Sequence, residues 1–279
     1  MTTEAYVETF NLGGDLEIRR MGFGTLFITT GRGFGPPRAG AGELLKEAVR
    51  LGVNFIDTAD SYGPEHAENA VREALHPYRG LVITTKGGFR HPTESTWTPD
   101  GRPEHLRDAL EGSLKRLQVD RIDLYQFHTP DSRVPFSESI GALRGFRQEG
   151  KIRHIGVSNV NLDQLTEACR EVNVVSVQNL FNVTSRDGHD VLEFCEKKGI
   201  AYIPWRPLAN GQLPLDDDGV REVAGRHGAT VAQVMLAGLL HRSKVILPIP
   251  GTGSIDHLRE NVAAERLRLD KDDLARLWR

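Results

Sequence analysis

Long apolar runs are missing from this chain. No stretch approaches the roughly 20 residues needed to span a bilayer, so no membrane partner is expected. Cysteine is scarce: only Cys169 and Cys195 occur, both in helical patterns, and no Cys/His cluster has zinc-ligand spacing. That pattern reads as reduced thiols and no metal site. Charge of one sign is missing too, with 35 Lys and Arg against 38 Asp and Glu. A polybasic face for nucleic acid or anionic lipid is therefore not expected. Residues Met1 to Val7 lack a basic segment followed by an apolar run, so no signal peptide is expected and the expected location is the cytoplasm. No Gly-x-Gly-x-x-Gly opens a βα unit. The nearest glycine-rich piece, Gly31 to Gly35, reads as a loop without that spacing, which argues against a Rossmann-type dinucleotide site.

What the chain has is alternation. Residues Tyr6 to Arg20 read as a β-hairpin around Gly13, Gly14 and Asp15, followed by a strand leading into Met21 to Thr25. Apolar strand patterns then recur at 53–57, 81–86, 122–127, 152–157, 174–178, 200–205 and 244–248, separated by amphipathic helical patterns. Strands and helices in this order imply parallel pairing through right-handed crossovers. With the strand near residue 20 there are eight strand candidates, enough for an α/β (β/α)8 TIM barrel with an N-terminal β-hairpin; a doubly wound open sheet is the runner-up. No Pro/Gly/Ser-rich linker or composition break divides the chain, so residues 1–279 are expected to form one domain.

Four polar residues stand at or just beyond three of these strand ends: Asp57 and Tyr62 in Asn-Phe-Ile-Asp-Thr-Ala-Asp-Ser-Tyr-Gly (54–63), Lys86 after Leu-Val-Ile-Thr-Thr, and His128 after Ile-Asp-Leu-Tyr-Gln-Phe. In a barrel the C-terminal strand ends carry the active site. A phenol is a poor proton donor at neutral pH; an ammonium beside it is expected to lower its pKa, and a carboxylate would keep that ammonium charged. An imidazole could orient a carbonyl oxygen. Together these are the parts of a general acid with a polarising partner. Singly, each has an ordinary reading as a cap, a loop-packing residue or a half-buried side chain.

These residues, with Gly-Val-Ser-Asn (156–159), Ile-Pro-Gly-Thr (249–252) and His-Leu-Arg-Glu-Asn (257–261), resemble the aldo-keto reductases over roughly residues 15 to 265. The resemblance implies the barrel, reduction of an aldehyde or ketone with NADPH, or with NADH as the second choice, and Asp57, Tyr62, Lys86 and His128 as the catalytic tetrad. It implies a cofactor laid across the barrel mouth. Gly24, Thr25 and Leu26 would lie beneath it, with Asp57 beside it. Ser158, Asn159 and Gln178 would meet the carboxamide, and Trp205 would stack on the nicotinamide. Arg206, Pro207 and Leu208 would cover the pyrophosphate, while Gly251, Thr252, Ser254, His257, Glu260 and Asn261 would hold the adenosine end. Many relatives carry Lys or Arg at 251, 253 or 257; Gly, Gly and His here imply a weaker grip on the 2′-phosphate, and Arg259 is the candidate substitute. The segment Gly33 to Arg38, with 257–261, resembles a bacterial branch that includes pyridoxal reductases, for whose aromatic aldehyde Trp97 and Arg38 or Arg90 are candidate contacts.

Two other readings stand beside this one. Lys86 could form a Schiff base in a barrel aldolase or lyase, although a close Asp57 would keep it charged. The chain could also be a non-catalytic subunit that senses nicotinamide redox state. The partner expected in either enzyme reading is a small-molecule carbonyl compound, and the sequence leaves the oligomeric state open.

Overall fold

Gly13 and Gly14, at φ 64° and 89°, turn β1 (Thr9–Leu12) into β2 (Leu16–Arg19) as an antiparallel hairpin. The computed structural model describes residues 8–31 and 33–279, so Tyr6, where the hairpin was expected to begin, lies outside the described residues. After β3 (Phe23–Gly24) comes a second hairpin, β4 (Thr29–Gly31) and β5 (Phe34–Pro37). The expectation of a plain loop there was wrong: Gly33 and Gly35 supply the left-handed φ values, 93° and 90°, that the turn and register shift require.

The βα alternation follows: α1 (Ala41–Arg50), β6 (Phe55–Asp57), α2 (His66–Leu75) and β7 (Val82–Gly87). A third hairpin, β8 (Phe89–Thr93) and β9 (Thr96–Pro99), precedes α3 (Pro103–Leu117) and β10 (Ile122–Phe127). Then come α4 (Phe136–Gln148), β11 (Ile152–Ser158), α5 (Leu162–Glu171), β12 (Val174–Gln178), α6 (His189–Lys198) and β13 (Ala201–Tyr202). The chain ends with α7 (Asp218–His227), α8 (Val231–Arg242), α9 (Ile255–Ala263) and α10 (Lys271–Leu277). Local signals set several helix starts: Pro103 at the first turn of α3, and capping boxes from Asn161 with Gln164 and from Thr230 with Gln233.

Seven parallel strands run in the order β13-β12-β11-β10-β7-β6-β3. Residues 244–248, expected as the eighth strand, form an isolated bridge rather than a ladder. Tyr202 pairs with Ile246, Leu247 N donates to Tyr202 O at 2.8 Å, and Gly22 N donates to Pro248 O at 2.9 Å. The barrel closes there, but Pro248 and Pro250 have no N–H to extend the pairing.

Side chains on these strands alternate between the barrel interior and the helices. Phe55, Val82, Leu124, Val175 and Ala201 form the apolar floor of the interior, plugged from below by Leu12 and Ile18 of the hairpin. Outward residues such as Tyr125, Phe127, Ile155 and Val157 pack against the helices. Two residues beyond Phe55, Val82 and Leu124 the inward side chains become polar, at Asp57, Thr84 and Gln126, close to the ends of those strands. The sequence thus places its buried polar groups at one mouth.

Candidate active site

Register aligns the tetrad. Asp57 lies opposite Thr84 and Gly24, and Lys86 lies opposite Gln126. Lys86 is fully buried, and its Nζ donates to Asp57 Oδ2 at 2.6 Å, Thr58 O at 2.8 Å and Tyr62 Oη at 3.4 Å. The ammonium therefore bridges the carboxylate and the phenol. Asp57 Oδ1 in turn accepts from Gln178 Nε2 at 2.9 Å and Gln126 Nε2 at 3.4 Å. Gln126, which sequence reasoning missed, is a polar residue inside an otherwise apolar strand pattern.

The electrostatics refine one expectation. Burial opposes the charge on Lys86, but the Asp57 carboxylate and the Tyr62 oxygen outweigh it and push its pKa up. Lys86 does pull the Tyr62 pKa down, as expected, yet burial pushes harder the other way and the net direction is upward. Tyr62 therefore holds its proton firmly at neutral pH. Burial, with Lys86 adding to it, drives the His128 pKa well below its usual value, so the imidazole is neutral. His128 Nδ1 lies 3.4 Å from Ser61 Oγ, and its ring lies 5.8 Å from that of Tyr62. Beneath the site, Asp60 is half-buried with its Oδ1 shielded from solvent and unpartnered, and desolvation followed by the nearby Glu68 raises its pKa to about 8.

The tetrad opens into a cleft of about 880 Å³ whose wall includes Asp57, Tyr62 and His128. Around the reactive end stand aromatic rings. Phe89 packs edge-on against His128 at 4.8 Å and Trp97 at 5.5 Å, Tyr62 meets Trp97 at 6.3 Å, and His91 stacks on Trp97 at 3.7 Å. Arg90 is tied to Asp100 at 2.7 Å, whereas Arg38 lines the cleft.

The residues expected along a cofactor fall as follows. Gly24, Leu26, Ser158, Asn159, Gln178 and Trp205 line the cleft; Thr25 is buried and does not. Gln178 spends its amide on Asp57, and Ser158 Oγ donates to Gln178 O at 2.7 Å. Asn159, at φ 57°, donates to His128 O and accepts from Trp205 Nε1 at 3.0 Å. One face of Trp205 is covered by the Arg206 guanidinium, 4.9 Å from the ring centroid. Pro207 and Leu208 follow along the wall. Arg206, Ala209 and Asn210 all hold left-handed φ values, 52°, 48° and 56°, an accumulation of backbone strain typical of ligand clamps.

At the far end, Gly251, Thr252, Ser254, His257, Glu260 and Asn261 line the wall where α9 begins. Ser254 caps that helix, accepting from His257 N. The Glu260 carboxylate is engaged by Thr230 Oγ1. Arg259 does not reach this wall; its Nε donates to Glu47 Oε1 at 2.9 Å. Among the described residues no group of three His, Cys, Asp or Glu could hold a metal ion, and no helix is long and apolar enough to cross a membrane.

Comparison with known proteins agrees with this geometry. The Aldo/keto reductase family model matches residues 20–278. Pyridoxine 4-dehydrogenase of Escherichia coli K12 is 41% identical over 278 residues, 96% of either chain. A thermostable aldo-keto reductase solved with the inhibitor epalrestat superposes with a TM-score of 0.85 at 33% identity, over 97% of this chain and 98% of that one. An aldo-keto reductase from Klebsiella pneumoniae solved with NADPH superposes at 0.81 with 28% identity, over 98% and 94%.

Proposed function

The chain belongs to the aldo/keto reductase family, and on that premise we propose that it reduces flat aromatic aldehydes, pyridoxal among them, using NADPH, with Tyr62 as proton donor. The observation that carries the reading is the buried Lys86 ammonium, joined to both Asp57 and Tyr62.

The cleft suits a dinucleotide. Its volume of about 880 Å³ lies toward the top of the ~300–1,000 Å³ range of ligand pockets. Its wall carries two arginines, Arg38 and Arg206, and the N-terminus of α9, whose backbone N–H groups favour phosphate. The strained loop around Arg206 to Asn210 would close over it. When bound, the dinucleotide supplies the hydride.

The protein's own groups manage the proton. Asp57, held by two glutamine amides, keeps Lys86 charged. His128, neutral, is free to hydrogen-bond a carbonyl oxygen and fix its position. As that oxygen gains negative charge, Tyr62 Oη gives it the proton, and Lys86 stabilises the phenolate left behind. Burial keeps the phenol protonated until the oxygen demands it. The same ammonium, committed to three acceptors, has no lone pair for a Schiff base, which argues against an aldolase.

The ring box of Phe89, Trp97, Tyr62 and His128 supports an aromatic substrate, and the relative that is a pyridoxine 4-dehydrogenase supports pyridoxal. The test is cofactor oxidation with pyridoxal, benzaldehyde and short aliphatic aldehydes, using wild type and Trp97→Ala. Wild type should favour the aromatic substrates in kcat/KM, and Trp97→Ala should erase that preference mainly through KM. Equal turnover of aliphatic and aromatic aldehydes by wild type would refute the substrate assignment.

A further inference from the structure

Positions 251, 253 and 257 carry no permanent cation, yet the wall beside them does. An added Cβ at Gly253 would lie 3.3 Å from Arg38 Cδ and 3.8 Å from Arg38 Nε. The arginine stem therefore rests on the bare backbone of Gly253. Any larger residue there would have to push it aside.

Arg38 is also aimed. It follows β5, and its Nε donates to Thr29 O at 2.9 Å while Nη2 donates to Thr30 O at 2.9 Å. These two bonds fix the plane of the guanidinium against the β4–β5 hairpin. Nη1 has no hydrogen-bond partner among the described residues. The side chain shares the cleft wall with Thr252, Ser254 and His257 at the start of α9. Arg259, the other nearby cation, is held by Glu47 and does not line the cleft.

We propose that Arg38 is the residue that recognises the 2′-phosphate of the dinucleotide, and that Gly253 is small because it seats Arg38. The cation that relatives were expected to carry near α9 is supplied here from the opposite end of the chain. An exposed but anchored guanidinium, with one nitrogen free, suits a phosphate dianion better than a mobile lysine would. The inference rests on the dinucleotide reading above, and its test separates the two.

The experiment is fluorescence titration of wild type, Arg38→Gln and Arg38→Lys with NADPH and with NADH, at low and moderate salt. NADH is the same molecule without the 2′-phosphate. Arg38→Gln should weaken NADPH by roughly tenfold to a hundredfold, the range for a charged hydrogen bond, and leave NADH within about twofold. The salt dependence of NADPH binding should flatten in the same variant. Arg38→Lys, which keeps the charge, should regain part of the loss. Equal weakening of both dinucleotides in Arg38→Gln would mean that Arg38 only props the hairpin, and an unchanged NADPH affinity would mean that it does not reach the phosphate; either overturns the inference while leaving the reductase reading intact. Wild type that binds neither dinucleotide would overturn both.

Discussion

Replacing Lys86 by Met separates the two things this ammonium does. Its Nζ sits 3.4 Å from Tyr62 Oη. At that distance a full phenolate gains about 5 kcal/mol from the charge at an effective dielectric near 20. A transition state with half the charge developed gains about 2.5 kcal/mol, so turnover should fall by roughly 70-fold, and by no more than about 4,000-fold if charge transfer is complete. The same substitution strands the buried Asp57 carboxyl group with two amides as its remaining donors. Breaking a buried pair in this way costs about 3–5 kcal/mol of stability. Lys86→Met should therefore lose both activity and urea resistance, whereas Lys86→Met combined with Asp57→Asn should recover most of the stability and none of the turnover. The assays are single-turnover oxidation of reduced dinucleotide and equilibrium unfolding in urea. A turnover loss below about fivefold would refute the role given to Lys86, because no plausible dielectric makes a 3.4 Å ammonium irrelevant to a phenolate.

Other expectations follow from the same geometry. Tyr62→Phe should lower turnover by roughly 10²- to 10⁴-fold with dinucleotide affinity retained, measured by titration beside the rate assay. Because burial raises the Tyr62 pKa above 10.0, wild-type reduction should show no alkaline limb from this group below about pH 10; a limb near pH 8 that vanishes in Tyr62→Phe would contradict that. Asp60 holds its proton in the folded state up to about pH 8 but releases it near 3.8 when unfolded, so it makes stability fall as pH rises through that window, by up to about 1.4 kcal/mol per unit. Asp60→Asn should become progressively more stable than wild type from about pH 5 to pH 8, and a pH-independent difference in urea midpoint would refute it. Gly24→Ala places a Cβ 2.7 Å from Ile249 O and should cost about 1–3 kcal/mol in urea unfolding; a loss under about 0.5 kcal/mol would show that the contact yields easily.

The barrel was legible because its strands are short apolar runs punctuated by polar exits, and the helices between them carry their own caps. Boundaries slipped where proline intervened: the 200–205 pattern is laddered only over Ala201–Tyr202 and resumes beyond Pro204 as a single bridge from Trp205 to Leu180, and 244–248 forms a bridge ahead of Pro248 and Pro250. The β4–β5 and β8–β9 hairpins were read as loops, since glycine, proline and mixed polarity hide the alternation of a short strand. The four residues could be read because each stands at or just beyond the end of a run. The direction of the Tyr62 shift could not, because burial is a property of the assembled mouth and not of the pattern. Gln178 shows a similar limit: a strand-end amide can face a ligand or a neighbouring carboxylate, and only three-dimensional register decides. The seating of Arg38 on Gly253 joins two positions nearly a whole chain apart, and neither residue announces the other.

The seam between Tyr202, Ile246 and Gly22 has a consequence for how the molecule opens. Elsewhere neighbouring strands are laddered, but the 244–248 stave is held to Tyr202 by two backbone bonds around one bridge and to Gly22 by one. Free energy of local opening should be lowest along such a line, so the amides of Gly22 and Leu247 should exchange with deuterated solvent sooner than those within β7, β10 and β11. Ile249 to Thr252 continue directly from this line into the cleft wall, against Gly24 from the other side. A dinucleotide lying there would touch both staves at once and act as the missing hoop. Its binding should slow exchange at Gly22 and Leu247 more than at any laddered strand, and raise the melting temperature in proportion to the logarithm of its concentration above Kd.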